Sequence, residues 1–567
     1  MKKNIATSGI NGFKPERLFA ILLFAWLCIN ILQALLTEVM TDETYYYMYG
    51  ETPAWGYFDH PPAVGIMAWL SGLLFGGNLS VRFITVILQV FTILTVWKII
   101  GEKSPDTRKT LLFFLIAASF VMFQTYGFVT TPDPPFLFFT ALFLYAYRQF
   151  LNEESWRNTA FLTLSMAGMV YSKYHAVLIV GFILLSNLRL LTRPKCWIAA
   201  LGTLLLLAPH LYWQVANDFP SFQYHLSGRS RAFRWSDFLK YLPNQLVVFN
   251  PFTFGAVVYV LAKYRPSDRF ERGLYFLITG FFVFFWLTTF RGEVEPHWTV
   301  ATSIPMMILL YRHCLDDRRL MRYARRVIAP SLLLILLARI VLTTDLLPAR
   351  LKFSGKEEAC RRIESIAGDR PVVFTGSFQS PSEYHFFTGK ESFVLSSVTG
   401  RQTQYDLLAK ELNFQGKPAF ICMERSRLSQ KYTVDGYPVY GYFVESLQTV
   451  NRQKIHFTLP RATLSPGDTL QIPFEIHNPS DRAIDFLHPE LPVALRAVYI
   501  PRRTEASFAD CELSEPLASL PPRSTVGGYL KTVVPPLEQG EYRFSLTLEN
   551  PVCAARNAAY QSVSIRR

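Results

Sequence analysis

Residues 18–36 read LFAILLFAWLCINILQALL, and no position in this stretch carries a charge. A helix of this length is about 28 Å long, close to the roughly 30 Å hydrocarbon thickness of a bilayer. Similar apolar runs return at residues 83–100 and, with its flanks, at residues 332–342. One such run could be a buried core helix, but many of them predict an integral membrane protein.

The composition supports the same class of protein. Half of the 567 residues are hydrophobic, 15% are aromatic and only 18% are charged, which is unusually apolar for a soluble chain of this length. The net charge of +14 could indicate a nucleic-acid partner. Much of it lies in short connections on one side of the predicted spans, where the positive-inside bias explains it. We therefore expect no nucleic-acid partner.

Read in order, the apolar runs predict an α-helical polytopic membrane protein with about eleven transmembrane helices. The predicted spans lie near residues 18–38, 82–100, 110–128, 135–151, 158–172, 175–191, 196–215, 244–262, 273–290, 297–312 and 327–345. Lys2, Lys3, Lys14 and Arg17 precede the first span, which predicts a cytoplasmic N-terminus and a retained signal-anchor helix. An odd number of spans then places the C-terminal region outside.

The hydropathy falls after about residue 352, which predicts soluble domains. We divide the chain into a transmembrane domain at residues 1–345, a small α/β domain at 346–450 and a β-sandwich at 451–567. The α/β domain is predicted from a periodic helix at 356–366 and apolar strands at 371–375 and 419–423. Alternating stretches at 469–477, 493–500 and 542–548 predict the sandwich.

The seven cysteines show no zinc or redox spacing. In an oxidising compartment Cys511 could pair with Cys553 inside the sandwich. The four C-terminal cysteines allow three connectivities, and the sequence does not choose among them.

The first predicted outer loop is dense in polar groups. It contains TDETYYYMY at residues 41–49 and GYFDHPP at residues 56–62. A plain explanation for Asp42 is an N-cap on an interfacial helix, with the tyrosines as a membrane-interface belt. The pair Asp59–His60 is harder to explain, because ionisable groups at the mouth of a span are costly without a partner or a task.

Other outer loops carry further candidates on the same predicted face. Asp133 lies in TTPDPP at residues 130–135. The alternative to a functional role is a turn that starts a helix, because Pro and Asp favour such turns. Lys173 lies in YSKYH at residues 171–175. The alternative to a functional role is a lysine whose side chain extends towards the membrane–water interface. The predicted substrate-binding groups across these loops are Tyr46, Tyr57, His60, Asp133, Lys173, His175, Arg291, Glu295 and His297. Arg229 and Arg231 share another outer loop.

Carboxylates and cations beside the outer leaflet suit group transfer from a lipid-anchored phosphate. An acid would deprotonate an acceptor hydroxyl while cations stabilise the departing phosphate. The outer loops contain no Asp-x-Asp metal pair, so lysine, histidine and arginine could act in place of a metal. We expect that no cofactor is required, although a divalent metal stays open.

The order of these motifs resembles the GT-C glycosyltransferases that use polyprenyl-phosphate sugars. The nearest types look like the bacterial protein O-mannosyltransferases and the lipid A aminoarabinose transferases, over about residues 15–345. The resemblance implies that Asp42 is the catalytic base or orients the acceptor, with Glu43 beside it and Asp59 as a second catalytic acid. It also implies a lysine near the donor phosphate at Lys173, a polar cavity wall at Asp133 and inversion at the anomeric carbon. Where the aminoarabinose transferases have a phosphate-binding lysine, this chain has His60, which is charged only part of the time near neutral pH.

The resulting prediction is a membrane glycosyltransferase that acts on lipid A, a protein or a glycan. A transporter or flippase of a lipid-linked sugar is an alternative, because intramembrane charges also line transport pathways. Against it, the polar groups cluster on one face and no inverted repeat is evident. A non-enzymatic envelope assembly protein is a second alternative, but it leaves the polar loops unexplained.

Overall fold

The computed structural model describes residues 14–225, 233–344, 355–501 and 505–566. The chain forms two compact units, Met1–Ser354 and Gly355–Arg567, which we call the helical unit and the C-terminal unit. The predicted boundary after residue 345 lies outside the described residues. The predicted boundary after residue 450 stays a prediction.

The helical unit consists of helices of very different length. They are α1 (Pro15–Leu36), α2 (Thr41–Glu51), α3 (Ala63–Leu74), α4 (Leu79–Ile100), α5 (Thr107–Ser119), α6 (Val121–Thr125), α7 (Asp133–Asn152), α8 (Trp156–Ser172), α9 (Ala176–Ser186), α10 (Pro194–Leu206), α11 (Ala208–Ala216), α12 (Pro220–Gln223), α13 (Trp235–Phe249), α14 (Pro251–Lys263), α15 (Arg269–Thr288), α16 (Ser303–Asp316), α17 (Arg318–Tyr323) and α18 (Ala329–Val341). Short 3₁₀ turns occupy Leu188–Thr192, Thr289–Arg291 and Pro296–Thr302, and Ala324–Ile328 is a π-turn.

The helical unit has the apolar helices of a membrane protein. Within the described residues, Pro15–Leu36, Leu79–Ile100 and Arg269–Arg291 are each long and apolar enough to cross a membrane. The pairs α10–α11 and α13–α14 pass the same test when each bent pair is taken together, which gives up to five spans. Every predicted apolar run contains a helix, but the number of eleven crossings stays a prediction.

The predicted span at 244–262 contains a sharp break between two helices. The chain bends by 104° between α13 and α14. Asn250 adopts φ +68°, outside the helical region, and its side chain accepts the backbone N–H of Phe252. Pro251 follows, and proline is well suited to the first position of a new helix. Asn250 and Pro251 therefore end one helix and begin the next.

Helix α3 is absent from the predicted spans, because twelve residues are too short to cross a bilayer. Its apolar sequence packs closely against α2. A Cβ added at Gly50 in α2 would lie 2.7 Å from the backbone nitrogen of Trp69 in α3. Glycine therefore allows the two backbones to approach, and α3 supports the helix that begins the first outer loop.

The C-terminal unit begins with a small α/β layer. Helices α19 (Lys356–Ala367), α20 (Gln379–Thr388) and α21 (Gln404–Leu408) accompany a five-stranded sheet of order β2-β1-β3-β5-β4. Its strands are β1 (Val372–Thr375), β2 (Ser392–Leu395), β3 (Ala419–Cys422), β4 (Gln430–Val434) and β5 (Tyr437–Val444). The first three are parallel, and β5 pairs antiparallel with both β3 and β4.

The rest of this unit is a β-rich fold around one hydrophobic core. Its strands are β6 (Lys454–Phe457), β7 (Thr463–Leu464), β8 (Thr469–His477), β9 (Ile484–Asp485), β10 (Ala494–Pro501), β11 (Ser507–Leu513), β12 (Ser519–Leu520), β13 (Thr525–Val533), β14 (Gly540–Glu549) and β15 (Gln561–Ile565). Eight of them pair in the order β6-β8-β13-β11-β10-β14-β15-β7. Strand β8 alternates exposed and buried residues along its whole length, which confirms the strand predicted at 469–477.

A disulfide between Cys511 and Cys553 is not formed, and all seven cysteines are free. Cys511 lies on β11 opposite Thr532 of β13. Cys553 follows β14, and its thiol is directed at the carbonyl oxygen of Leu395, 3.7 Å away. The two thiols therefore have separate partners.

Candidate active site

Helix α2 holds the two acids of the first outer loop in different surroundings. Glu43 is fully buried, and its carboxylate accepts the backbone N–H of Met40 at 2.8 Å. Asp42 is exposed in the same first turn. The N-cap alternative for Asp42 is wrong, because Met40 is the N-cap and Glu43 closes the cap. Asp42 is thus directed away from the packed base of the helix.

Glu43 forms a buried ion pair with Arg82 of α4. The Nε of Arg82 donates to one carboxylate oxygen of Glu43 at 2.8 Å, and Nη2 donates to the other at 2.5 Å. Both side chains are completely buried. Arg82 also donates to the backbone carbonyls of Ala34, Thr37 and Glu38. This pair fixes the loop between α1 and α2 against α4.

The same carboxylate also holds the loop that precedes α7. The backbone N–H of Thr130 donates to Glu43 at 2.8 Å. The hydroxyl of Thr130 donates to the carbonyl of Val81 at 2.7 Å. Glu43 therefore links the loop that carries Asp42 to the loop that leads to Asp133.

Asp133 and Lys173 form the second buried ion pair of the site. Lys173 Nζ lies 2.7 Å from Asp133 Oδ1, and the two side chains are 7% and 2% exposed. The alternative of a lysine reaching out to the interface is therefore wrong. Asp133 does begin a helix, since it is the first residue of α7 and is followed by two prolines. His297 Nε2 lies 3.9 Å from its second oxygen.

His175 lies among basic groups from three other segments and from its own loop. Its ring lies 5.2 Å from both Phe285 and Trp298, and its buried Nδ1 has no hydrogen-bond partner among the described residues. Besides its burial, the groups that interact electrostatically with it are Lys173, His60, His225 and His297. We call these five basic residues, with Asp59 and Asp133, the acid–base pocket.

One face of α2 connects Asp42 to this pocket. Asp42, Tyr46 and Tyr49 are four and seven residues apart, a spacing that places them on the same side of a helix. Tyr46 Oη lies 3.2 Å from His60 Nε2, and Tyr49 donates to Asp59 Oδ1 at 2.6 Å. The face of α2 that carries Asp42 is thus the face that contacts the pocket.

Tyr57 supports the pocket from behind. Its ring is stacked on Tyr49 at 4.0 Å, and its hydroxyl donates to the backbone carbonyl of Tyr49 at 2.9 Å. Burial raises the pKa of Tyr57 to about 12, so the hydroxyl stays protonated. A Cβ on Gly65 of α3 would lie 2.3 Å from that hydroxyl. The position of the Tyr57 ring therefore depends on this glycine.

Two of the predicted groups lie farther out. Arg291 is exposed at the end of a short 3₁₀ turn, and Glu295 is half-buried just before the turn that carries His297. Arg229 and Arg231 lie outside the described residues. Among the described residues, no three histidine, cysteine, aspartate or glutamate side chains could together hold a metal ion. Metal dependence therefore stays a matter for experiment.

Sequence reasoning missed Arg82, Tyr49, Tyr126 and His225. Arg82 carried a signal, since a charge near the start of a largely apolar helix needs a partner. Tyr49 was quoted within the tyrosine run but not distinguished from its neighbours. Tyr126 lies inside the span predicted at 110–128 and His225 in a predicted outer loop, and only the fold brings them to Asp133 and Asp59.

Comparison with known proteins bears on the class of this site. Residues 59–213 match the model of a family described as dolichyl-phosphate-mannose-protein mannosyltransferase. No curated protein matches the chain. The solved structure of ArnT from Cupriavidus metallidurans in the apo state is 13% identical with a TM-score of 0.56, and the match covers 76% of this chain and 98% of that chain. The structure of the same ArnT bound to undecaprenyl phosphate is 14% identical with a TM-score of 0.55. This match covers 75% of this chain and 97% of that chain.

At such low identity the likeness to ArnT shows the fold. Together with the family match, it confirms the resemblance to the GT-C glycosyltransferases that the outer-loop motifs indicated. The chain accordingly shares a helical membrane-protein fold with ArnT and has a β-rich C-terminal unit.

Proposed function

We propose that this protein is a membrane glycosyltransferase that moves a sugar from a polyprenyl-phosphate donor to an acceptor hydroxyl or phosphate. The observation that carries the proposal is the convergence of an exposed acid, Asp42, with the acid–base pocket at one end of the helices. The family match and the undecaprenyl phosphate held by ArnT support the class of donor.

In this proposal Asp42 is the catalytic base. Its exposed carboxylate would take the proton of the acceptor hydroxyl as the acceptor oxygen bonds to the anomeric carbon. The bond between that carbon and the phosphate oxygen breaks, and its electron pair stays on the phosphate. Direct displacement inverts the anomeric centre. Asp59, held by Tyr49, would orient the sugar or the acceptor.

The basic residues of the pocket would stabilise the charge that develops on the departing lipid phosphate. Cations aimed at a developing charge contribute most in a site from which water is excluded. Lys173 already shares its charge with Asp133, so the histidines would supply part of the positive charge. His60 and His297 are proposed in this role, with Tyr46 as a hydrogen-bond donor beside His60. His175, whose Nδ1 is buried and lies among other basic groups, would contact the substrate as a neutral ring.

Glu43 would position the site and would not transfer a proton. Both of its oxygens already accept hydrogen bonds from Arg82. Removing the carboxylate would therefore release the loops that carry Asp42 and Asp133. This assignment replaces the predicted catalytic role of Glu43.

The distribution of basic residues supports the orientation given by the sequence. We propose an inner-membrane protein with a cytoplasmic N-terminus, so that the pocket and the C-terminal unit lie on the periplasmic face. The acceptor would then be a component of the cell envelope, such as lipid A, a protein or a glycan.

The proposal is tested with purified protein in nanodiscs and a panel of polyprenyl-phosphate sugars, with a cell-envelope extract as acceptor. Release of free polyprenyl phosphate from one donor, accompanied by transfer of its sugar, is the expected result. A folded protein that releases no polyprenyl phosphate from any donor would overturn the proposal. Adding a chelator to the active reaction tests the expectation that no metal is required.

A further inference from the structure

Arg339 of α18 is a partly buried cation with an unusual set of partners. Its Nε donates to Gln33 at 3.1 Å, its Nη1 to Gln124 at 2.7 Å and its Nη2 to Asn30 at 2.8 Å. All three acceptors are amide oxygens of buried side chains. We call these three residues the amide cluster. It solvates the guanidinium, and no carboxylate of the described residues compensates its positive charge.

The other buried cations of the helical unit are paired differently. Arg82 and Lys173 each contact a carboxylate directly, at 2.5 Å and 2.7 Å. Among the described residues, no carboxylate forms an ion pair with Arg339. An ion withdrawn from water without a counter-charge costs several kcal/mol, and such a residue within a membrane domain indicates a functional site.

The amide cluster is oriented for this arginine. The side-chain NH₂ of Gln33 donates to Thr37 and to the carbonyl of Arg339 itself, that of Gln124 donates to Ala118, and that of Asn30 donates to Gln89. Each amide group is thus anchored through its nitrogen, which directs its oxygen at Arg339. The cluster is built in advance, as a binding site requires.

Close packing keeps Gln89 in place behind the cluster. Gln89 also accepts a hydrogen bond from Trp26 at 2.8 Å. A Cβ added at Gly127 would lie within 1.9 Å of the Gln89 oxygen and 2.7 Å of the Asn30 nitrogen. Only glycine at this position leaves room for both amides.

Arg339 lies beside lipid-facing helix surfaces near one end of the helical unit. It is two residues from the end of α18, and Gln33 is three residues from the end of α1. On both helices, large apolar side chains close to these residues are exposed, including Leu32, Leu36, Leu336 and Ile340. An acyl chain could therefore run along these surfaces while its headgroup meets the guanidinium.

The chemistry of the missing counter-ion follows from the geometry of Arg339. A guanidinium has five N–H donors in a planar fork that matches phosphate oxygens. Hydrogen bonds to the described chain use three of them. We propose that Arg339 and the amide cluster bind the phosphate of an anionic membrane lipid, at a site separate from the acid–base pocket.

Binding at Arg339 would also reach the candidate active site. The guanidinium stacks over the ring of Phe128 at 5.1 Å. Phe128 begins the loop that continues to Thr130, whose N–H contacts Glu43. An occupied lipid site would therefore stabilise the loop that leads to Asp133.

The experiment measures thermal unfolding of the purified full chain in detergent micelles. Three lipids are added separately: dioleoyl phosphatidylglycerol, dioleoyl phosphatidylcholine and undecaprenyl phosphate. Wild type is compared with Arg339→Gln and with Arg157→Gln, which removes one exposed positive charge at the start of α8. At a hundredfold excess over Kd, we expect either anionic lipid, phosphatidylglycerol or undecaprenyl phosphate, to raise the Tm of wild type and Arg157→Gln by about 2–4 °C. Zwitterionic phosphatidylcholine, whose phosphate charge is balanced by its own choline, should give a smaller shift.

The response of Arg339→Gln decides the proposal. Loss of the phosphatidylglycerol shift in this variant supports a site for bilayer phospholipid. Loss of only the undecaprenyl phosphate shift supports a site for the polyprenyl lipid. Shifts as large as those of wild type with both lipids overturn the proposal. If Arg339→Gln does not fold, wild type alone is decisive, because equal shifts with all three lipids would also overturn it.

Discussion

At the scale of single residues, Asp42 and Glu43 are neighbours whose side chains lie in opposite surroundings. The first is exposed on the face of α2 that contacts the acid–base pocket, and the second is buried against Arg82. Sequence reasoning treated them as a pair with one chemical role. The structure separates a candidate base from a residue that holds two loops together.

Replacing Glu43 by glutamine should destabilise the fold. The change leaves Arg82 buried without a negative partner, and breaking one side of a buried ion pair costs about 3–5 kcal/mol. The double variant Glu43→Leu/Arg82→Met should recover much of that stability, because it removes both charges. Denaturant or thermal unfolding of the three proteins checks the prediction.

The rate of sugar transfer distinguishes a positioning role of Glu43 from a role in proton transfer. If Glu43→Gln unfolds like wild type but transfers sugar at least a hundredfold more slowly, Glu43 takes part in proton transfer and the positioning role is wrong. Parallel losses of stability and activity agree with the account.

The motifs identified Asp59, Asp133 and Lys173 as members of one site because charged groups at helix ends are costly without a task. They could not identify the ion pair between Asp133 and Lys173, since the partners are forty residues apart. They also could not show that Tyr46 and Tyr57 have different roles. Tyr46 contacts His60 and Tyr57 supports Tyr49, and both contacts depend on how the loop folds.

At the scale of helices, length and hydropathy predicted where apolar segments lie but not how they bend. The predicted span at 244–262 breaks at Asn250 because of backbone geometry that hydropathy does not record. Helix α3 was missed because it is too short to span a bilayer. Both errors concern apolar helices whose form is set by their neighbours.

Packing between α3 and Tyr57 gives a prediction at this scale. Gly65→Ala should destabilise the protein by about 1–3 kcal/mol, because the added methyl group would overlap the Tyr57 ring. It should also slow sugar transfer, since Tyr57 supports Tyr49 and hence Asp59. The measurements are thermal unfolding and transfer rate.

Gly181→Ala in α9 is the matched control. A Cβ at Gly181 meets no atom within 4 Å, and alanine is favoured over glycine inside a helix by about 0.5–1 kcal/mol. This variant should be as stable as wild type or slightly more so. Equal behaviour of the two variants would contradict the proposed packing of Tyr57.

At the scale of the whole molecule, the division between an apolar helical part and a C-terminal β-rich part was legible from composition and alternation. Strand β8 matches its predicted bounds, because strict alternation over nine residues leaves no other register. The order of the strands was not legible, since pairing joins segments distant in sequence. For the same reason, spacing could not decide whether Cys511 and Cys553 pair.

The cysteines of the C-terminal unit give a global prediction. Burial raises the pKa of Cys422 and Cys553 to about 12 and that of Cys511 to about 11. Only the thiolate reacts, so a raised pKa makes the reactive form scarcer at pH 8. Iodoacetamide should label these thiols at least about a hundredfold more slowly than an unperturbed cysteine of pKa near 8.5 until the unit unfolds.

Mass spectrometry after labelling provides the check. Unfolding without a reductant should make all seven cysteines reactive, as expected for free thiols. Two cysteines that become reactive only after reduction would instead reveal a disulfide. Rapid labelling of the folded protein would contradict the burial of these thiols.

The central claim is that Asp42 removes the proton of the acceptor in a transfer from a polyprenyl-phosphate sugar. It is tested by release of polyprenyl phosphate from wild type, Asp42→Asn and Glu51→Gln, the last a control that removes the exposed acid at the other end of α2. We predict that Asp42→Asn loses at least about 10²–10⁴-fold in rate without a change in Tm, while Glu51→Gln behaves like wild type. Near-normal release by a folded Asp42→Asn protein would contradict the account.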